Sequence, residues 1–134
     1  MRYLGLDLGT KTLGLAISSG IIANSLKTIR YEDENDMLKK ISDIILEEKI
    51  DCLVLGYPKN MNNTIGPRAE TTISFKNKLE SLGYKVELQD ERLSTVSAHN
   101  IMIQADVSRK KRKEKVDALA ATIILQTYLD RKGN

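Results

Sequence analysis

Apolar and polar positions alternate from the first residues of the chain. Leu4, Leu6 and Leu8 alternate with Tyr3, Gly5 and Asp7, the period of two that marks a strand. Gly9-Thr10-Lys11 supplies a turn, and Leu13, Leu15 and Ile17 then alternate with Thr12, Gly14 and Ala16. This predicts a second strand, antiparallel to the first. Ser18-Ser19-Gly20 supplies another short turn, and 21–29 reads as a third strand, so the chain opens with a three-stranded meander.

The period then changes to that of a helix. Leu38, Ile41 and Ile45 recur with Met37 and Ile44 beside them, after a stretch, 32–36, rich in acids and caps. The run 52–55 is apolar throughout, as in a strand buried on both faces. A loop over 56–64 follows. A second helix is predicted from near Pro67, through Ala69, Ile73, Leu79 and Leu82, to a terminal Gly83. Tyr84, Val86 and Leu88 alternate with Lys85, Glu87 and Gln89 in a strand polar on one side and so near an edge. Ser94 or Thr95 could cap a short helix through Val96 and Ile103, and a last helix is predicted over 114–131. The order β-β-β-α-β-α-β-α-α implies an α/β fold with a five-stranded mixed sheet. Strands one to three form an antiparallel meander, two parallel strands arrive through crossovers, and helices cover both faces.

Composition narrows the class. At 134 residues the expectation is a single domain over 1–134, too short for an enzyme that closes two full domains around its substrate. The formal charge of +3 conceals a cluster, since 109–115 holds six basic residues and one acid and leaves the remainder at −2. A patch of this kind suits a polyanion. Cys52 is the only cysteine, in an apolar run, so no internal disulfide forms and it reads as a small buried hydrophobe. One cysteine and one histidine exclude a zinc site of the usual kind. No stretch approaches a membrane span and Asp7 comes too early for a signal-peptide core, so the expected location is the cytoplasm, with no membrane contact.

Three carboxylates then stand out. Asp7 ends the first predicted strand, Glu91 follows the last one, and Asp117 falls in the opening turn of the predicted final helix. With strands one, four and five parallel, Asp7 and Glu91 share the carboxyl edge of the sheet, where open α/β folds bind ligands. Asp117 lies on a stripe with Ala120, Ala121, Ile124 and Tyr128 that should face the sheet. Glycines at 5, 9 and 56 leave room for a ligand to approach. Three converging acids offer hard oxygen donors suited to Mg²⁺ or Mn²⁺, ions that serve phosphodiester hydrolysis. Taken singly, Asp7 also suits a turn before Gly9, Glu91 a surface pair with Arg92, and Asp117 the positive end of a helix.

The segment Gly5-Leu6-Asp7-Leu8-Gly9-Thr10-Lys11-Thr12-Leu13-Gly14-Leu15-Ala16 resembles the first motif of the YqgF family of RNase-H-like nucleases. Gly56-Tyr57-Pro58-Lys59-Asn60-Met61 with Gly66-Pro67-Arg68-Ala69 resembles the second, Asp90-Glu91-Arg92-Leu93-Ser94-Thr95 the third, and Val116-Asp117-Ala118-Leu119-Ala120-Ala121 the last. The first motif alone is shared with actin-like kinases, whose second domain this chain has no room for; the ordered set is specific. Tyr57 departs from the small or Leu residue common at its position. The resemblance implies an RNase-H-like fold, Asp7, Glu91 and Asp117 as catalytic, metal-holding acids, and a role in maturing the 5′ end of the small-subunit rRNA precursor. It also implies kinship with RuvC-type junction resolvases.

Arg109, Lys110, Lys111, Arg112 and Lys113, next to Asp117, are candidates for gripping phosphates, with Lys11 and Arg68 as weaker ones. The same run also suits a solvated loop and helix start, and Arg68 an ordinary first helical turn. His99 reads as a surface or half-buried residue rather than a general base. Six scattered aromatics make no base-stacking platform. The expected partners are structured RNA such as pre-rRNA, or branched DNA, with ribosomal particles as a further candidate. The alternatives are a four-way DNA junction resolvase and a non-catalytic RNA- or ribosome-binding module. Paired nicking of a junction favours a two-fold dimer, but no dimer stripe is legible, so a monomer or weak dimer is expected.

Overall fold

A computed structural model describes residues 1–9, 11–57, 67–90 and 109–132, with side chains from 69 onward in the third segment and from 118 onward in the fourth. The predicted loop beyond Tyr57, the helix over 94–103, His99 and Glu91 lie outside them.

Five strands form one sheet: β1 (Tyr3–Leu8), β2 (Thr12–Ser18), β3 (Ala23–Arg30), β4 (Cys52–Tyr57) and β5 (Val86–Asp90), in the order β3-β2-β1-β4-β5. β1 pairs antiparallel with β2 and β2 with β3, while β1, β4 and β5 run parallel. The expected mixed sheet and the edge position of β5 are therefore present. β1 is the central strand, and every residue of its parallel neighbour β4 is buried.

Among the described residues three helices lie against the sheet: α1 (Glu34–Glu48), α2 (Pro67–Ser81) and α3 (Arg109–Lys132). Asp33 caps α1, its side chain accepting from the Asp36 amide. Gly83 lies just past α2 with φ +96°, the left-handed conformation expected of a glycine after a helix. Strand alternation sorts the core in two. Leu4, Leu6, Leu13, Leu15, Leu53 and Leu55 face α1 and α2, where Ile41 and Leu79 are fully buried. Tyr3, Ala16, Cys52 and Val54 face α3 through Ala121, Ile124, Leu125 and Tyr128. Helices thus cover both faces, as the pattern implies.

Two boundaries differ from the sequence reading. β3 begins at Ala23, leaving Ile21 and Ile22 outside it and 82% and 66% exposed. Gln126 of α3 holds that turn by accepting from the Ala23 amide and donating to the Ile21 carbonyl. The last helix starts at Arg109 rather than near 114, so 109–113 is helical and Asp117 stands beyond the opening turn. Lysine and arginine are good helix formers, and the run needs no apolar periodicity to be one.

Candidate active site

Alternation along β1 decides where Asp7 points. Tyr3 belongs to the α3 side and Leu4 and Leu6 to the other, so Asp7, in phase with Tyr3 and Gly5, lies on the α3 side. It is buried, at 7% exposure, near the carboxyl end of the strand and opposite Gly14 of β2.

α3 crosses this side of β1 in a fixed register. The Tyr3 and Tyr128 rings meet with centroids 5.9 Å apart. A side chain at Gly5 would put its Cβ 2.9 Å from Leu125 Cβ and 3.0 Å from the Ala121 carbonyl oxygen. As β1 advances from Tyr3 to Gly5, its contacts on α3 therefore step back from 128 towards 121. Two strand residues rise about 6.6 Å, close to one helical turn of about 5.4 Å. Position 117 is one turn before Ala121 on the same stripe, which brings the helix backbone there towards the Asp7 end of β1. The side chain of Asp117 is not among those described.

The parallel strands finish level with one another. Leu6 is paired with Leu55 and Leu55 with Leu88, followed by Gly56 with Gln89 and Tyr57 with Asp90. β4 lies between β1 and β5, as expected, and Glu91 is the next residue in the chain after β5 ends at Asp90. Of the three acids, one is thus described in full, one is placed on a helix by its backbone, and one lies outside the described residues. Among the described residues no three His, Cys, Asp or Glu side chains gather as a metal site.

Clearance for a ligand is not what Gly5 provides. The space above it is occupied by α3, so the missing side chain serves close helix–strand contact. At Gly9 a Cβ would lie 2.9 Å from Thr12 Oγ1, because the turn folds back with the Gly9 amide donating to the Thr12 carbonyl at 2.8 Å. The same turn is fastened from β3's far end. Tyr31 donates its phenol proton to the Gly9 carbonyl at 2.6 Å, and its amide donates to the Lys11 carbonyl at 3.1 Å. Burial pushes the Tyr31 phenol above 10.0, so it remains a donor at neutral pH. Sequence reasoning missed this residue: a tyrosine between Arg30 and Glu32 carries no periodic signal.

The basic candidates fall at the same edge or on the helix leading to it. Lys11 is exposed in the β1–β2 turn, its ammonium donating to the Glu32 carbonyl at 3.5 Å. Arg68 is the second residue of α2, and positions 109–113 form the first turns of α3. Cys52 is buried at the opposite end of the sheet with its thiol pushed up by burial, an inert core residue as expected. Tyr57 is buried at the end of β4. In donor chemistry the site suits a hard divalent ion: Asp7 offers carboxylate oxygen held in place by packing, and the candidate set contains neither thiolate nor imidazole.

Comparison with known proteins agrees with this fold. The family model described as "RuvX: Holliday junction resolvase" matches residues 1–131. A protein of Geobacillus sp. (strain WCH70) named "Putative pre-16S rRNA nuclease" is 53% identical over 137 residues, covering 98% of this chain and 99% of its own. Among solved structures, Thermus thermophilus RuvC in complex with a Holliday junction substrate superposes with a TM-score of 0.60 at 13% identity, covering 100% of this chain and 97% of its own. The fowlpox virus resolvase in complex with Holliday junction DNA gives 0.63 at 12% identity, covering both chains completely. At such identities the two structures establish the fold, and the RNase-H-like architecture with it. No helix among the described residues is long and apolar enough to cross a membrane.

Proposed function

The chain belongs to the RuvX (YqgF) family and is a hydrolytic nuclease, and on that footing we propose that it cleaves structured RNA. In this reading residues 1–134 act as one nuclease domain in the cytoplasm, trimming the 5′ end of a small-subunit rRNA precursor, free or within a ribosomal particle. Asp7, Glu91 and Asp117 hold Mg²⁺ or Mn²⁺.

The observation that carries the reading is the seat of Asp7: a buried carboxylate near the end of a central parallel strand, beside a helix admitted to close contact by Gly5. The phase of β5 supports the second acid. Val54 faces α3 and is paired with Glu87, and Gly56 is paired with Gln89, so β5 runs to its end with Glu87 and Gln89 in the phase of the Asp7 side, directly before Glu91 in the sequence. The stripe Ala121, Ile124, Leu125, Tyr128 supports the third, because 117 continues it by one turn.

When bound, the ion activates water and stabilises the departing oxygen. The chain's own groups do the remaining work. The three carboxylates orient the site and need transfer no proton. Tyr31 fixes the turn that follows Asp7 through Gly9. Arg109, Lys110, Lys111, Arg112 and Lys113, with Lys11 and Arg68, grip phosphates on either side of the scissile bond, so affinity falls steeply with salt.

RNA is favoured over four-way DNA because the rRNA nuclease name belongs to a relative 53% identical, whereas the junction complexes are 12–13% identical. The family's description keeps junction cleavage as the second reading. It requires paired nicks and so a two-fold dimer, where the RNA reading needs only a monomer or weak dimer. The test is cleavage of a precursor rRNA fragment and of a synthetic four-way junction with Mg²⁺ or Mn²⁺. Asp7→Asn should lose more than the roughly 10–100-fold typical of a group that merely supports a metal ligand. Equal cleavage by both proteins would contradict the mechanism, and cutting of the junction alone would transfer the assignment to DNA.

A further inference from the structure

Across β1 from Asp7, a cavity of about 650 Å³ opens beside Leu8 and Gly9, within the size range of small-molecule sites. Its apolar wall contains Met37 and Phe75, 4% and 3% exposed, together with Tyr31, whose ring is fixed by its bond to the Gly9 carbonyl. Two carboxylates complete it. Glu34 lies 2.5 Å from the Lys78 ammonium, and its charge is thereby balanced. Glu70, exposed in the first turn of α2, makes no hydrogen bond or ion pair with a described residue.

No lysine or arginine is among the described lining residues, so the cavity is a poor seat for phosphate. Its combination of flat apolar surface and carboxylate acceptor suits a different part of a nucleotide. We infer that it receives an unstacked nucleobase bearing an amino group, guanine best of all, from a nucleotide adjoining the bond cut at the Asp7 edge. The placement rests on the nuclease reading of that edge. Proteins read RNA sequence largely through bases splayed out of the stack, held against aromatic or apolar side chains and hydrogen-bonded along their edges. Guanine presents N1–H and N2–H₂ side by side, both donors to the Glu70 carboxylate. Uracil offers one N–H flanked by two carbonyl oxygens, which the carboxylate repels. The cavity and Asp7 lie on opposite sides of one strand, so a nucleotide chain crossing the sheet edge presents a phosphate to one side and a base to the other.

The test is binding of guanosine 5′-monophosphate to the full-length chain in chelator, followed by NMR of the Met37 methyl and Phe75 ring. Uridine 5′-monophosphate and ribose 5-phosphate serve as comparison probes. Guanosine monophosphate should shift both signals saturably and bind about tenfold more tightly than the uridine nucleotide, a preference that Glu70→Gln removes. Ser74→Trp, at an exposed rim position, should block the shift while the fold persists. Absence of any shift at saturating nucleotide overturns the inference. So does an equal response to ribose 5-phosphate, or a guanine preference that survives Glu70→Gln. The two readings fail separately: RNA cleavage without a nucleotide shift removes the cavity's role alone. A nucleotide shift in a protein that cuts no RNA removes the RNA-cleavage reading and leaves base binding standing.

Discussion

On one side of the sheet, leucines from β1, β2 and β4 interdigitate with isoleucines of α1 and with Phe75 and Leu79 of α2. On the other, α3 lies so near β1 that Gly5 has no space for a methyl group. The first side is an ordinary core in which several large side chains share the work of excluding water, each contributing about 1.5–3 kcal/mol on full burial. The second contains alanines, Cys52 and two tyrosines beside Val54, Ile124, Leu125 and Leu129, and α3 packs there across β1, β2 and β3 with a close approach at Gly5. Asp7 belongs to that second side. The comparison teaches that stability and site geometry are carried by different layers, so they should respond to different substitutions.

Leu6→Ala tests the first layer. Leu6 is fully buried, and its truncation should cost about 2–5 kcal/mol in denaturant unfolding while the folded fraction cleaves RNA at an unchanged rate. A loss of rate per folded molecule would break the separation. Gly5→Ala tests the second layer and should cost less, about 1–3 kcal/mol, because Leu125 Cβ and the Ala121 carbonyl must move aside. Yet it should lower the rate per folded molecule, since α3 carries position 117. If Gly5→Ala is as active as the parent once folded, the register of α3 on β1 does not set the site.

The smallest effect lies on the solvent side of α1. Asp36 is held below its ordinary 3.8 first by the Glu32 amide it accepts from, then by Lys40. Its native value is depressed, so its stabilisation is present above the unfolded value and is lost as pH falls through the native one. Asp36→Asn should flatten the acid limb of the melting temperature between about pH 2 and 5, with cleavage at neutral pH unaltered. An unchanged acid limb would show that these contacts do not stabilise the charged form.

Much of this division was legible from periodicity. Leu4, Leu6 and Leu8 set one phase of β1 and Tyr3, Gly5 and Asp7 the other, because successive strand residues point to opposite faces. The all-apolar 52–55 run marked β4 as buried on both faces, and the half-polar β5 as near an edge. What escaped depends on contacts remote in sequence. Gly5 looked like clearance for a ligand, since nothing local announces that a helix more than a hundred residues later will take that space. Ile21 and Ile22 looked like strand because apolar composition cannot reveal a turn pinned by Gln126. The basic run lacks an apolar stripe, so periodicity alone starts α3 too late. Tyr31 became visible only when its hydroxyl met Gly9. For Glu91 and Asp117 the sequence offers the order of the motifs, and their side chains lie outside the described residues.

The central claim is that Asp7, Glu91 and Asp117 share one ion. Calorimetric titration of Mn²⁺ into the parent protein and into Asp7→Asn, Glu91→Gln and Asp117→Asn, each first shown to be folded, measures it directly. The account predicts saturable binding by the parent and a weakening of at least about tenfold in every variant. Parent-like Mn²⁺ affinity in any one of the three would contradict it.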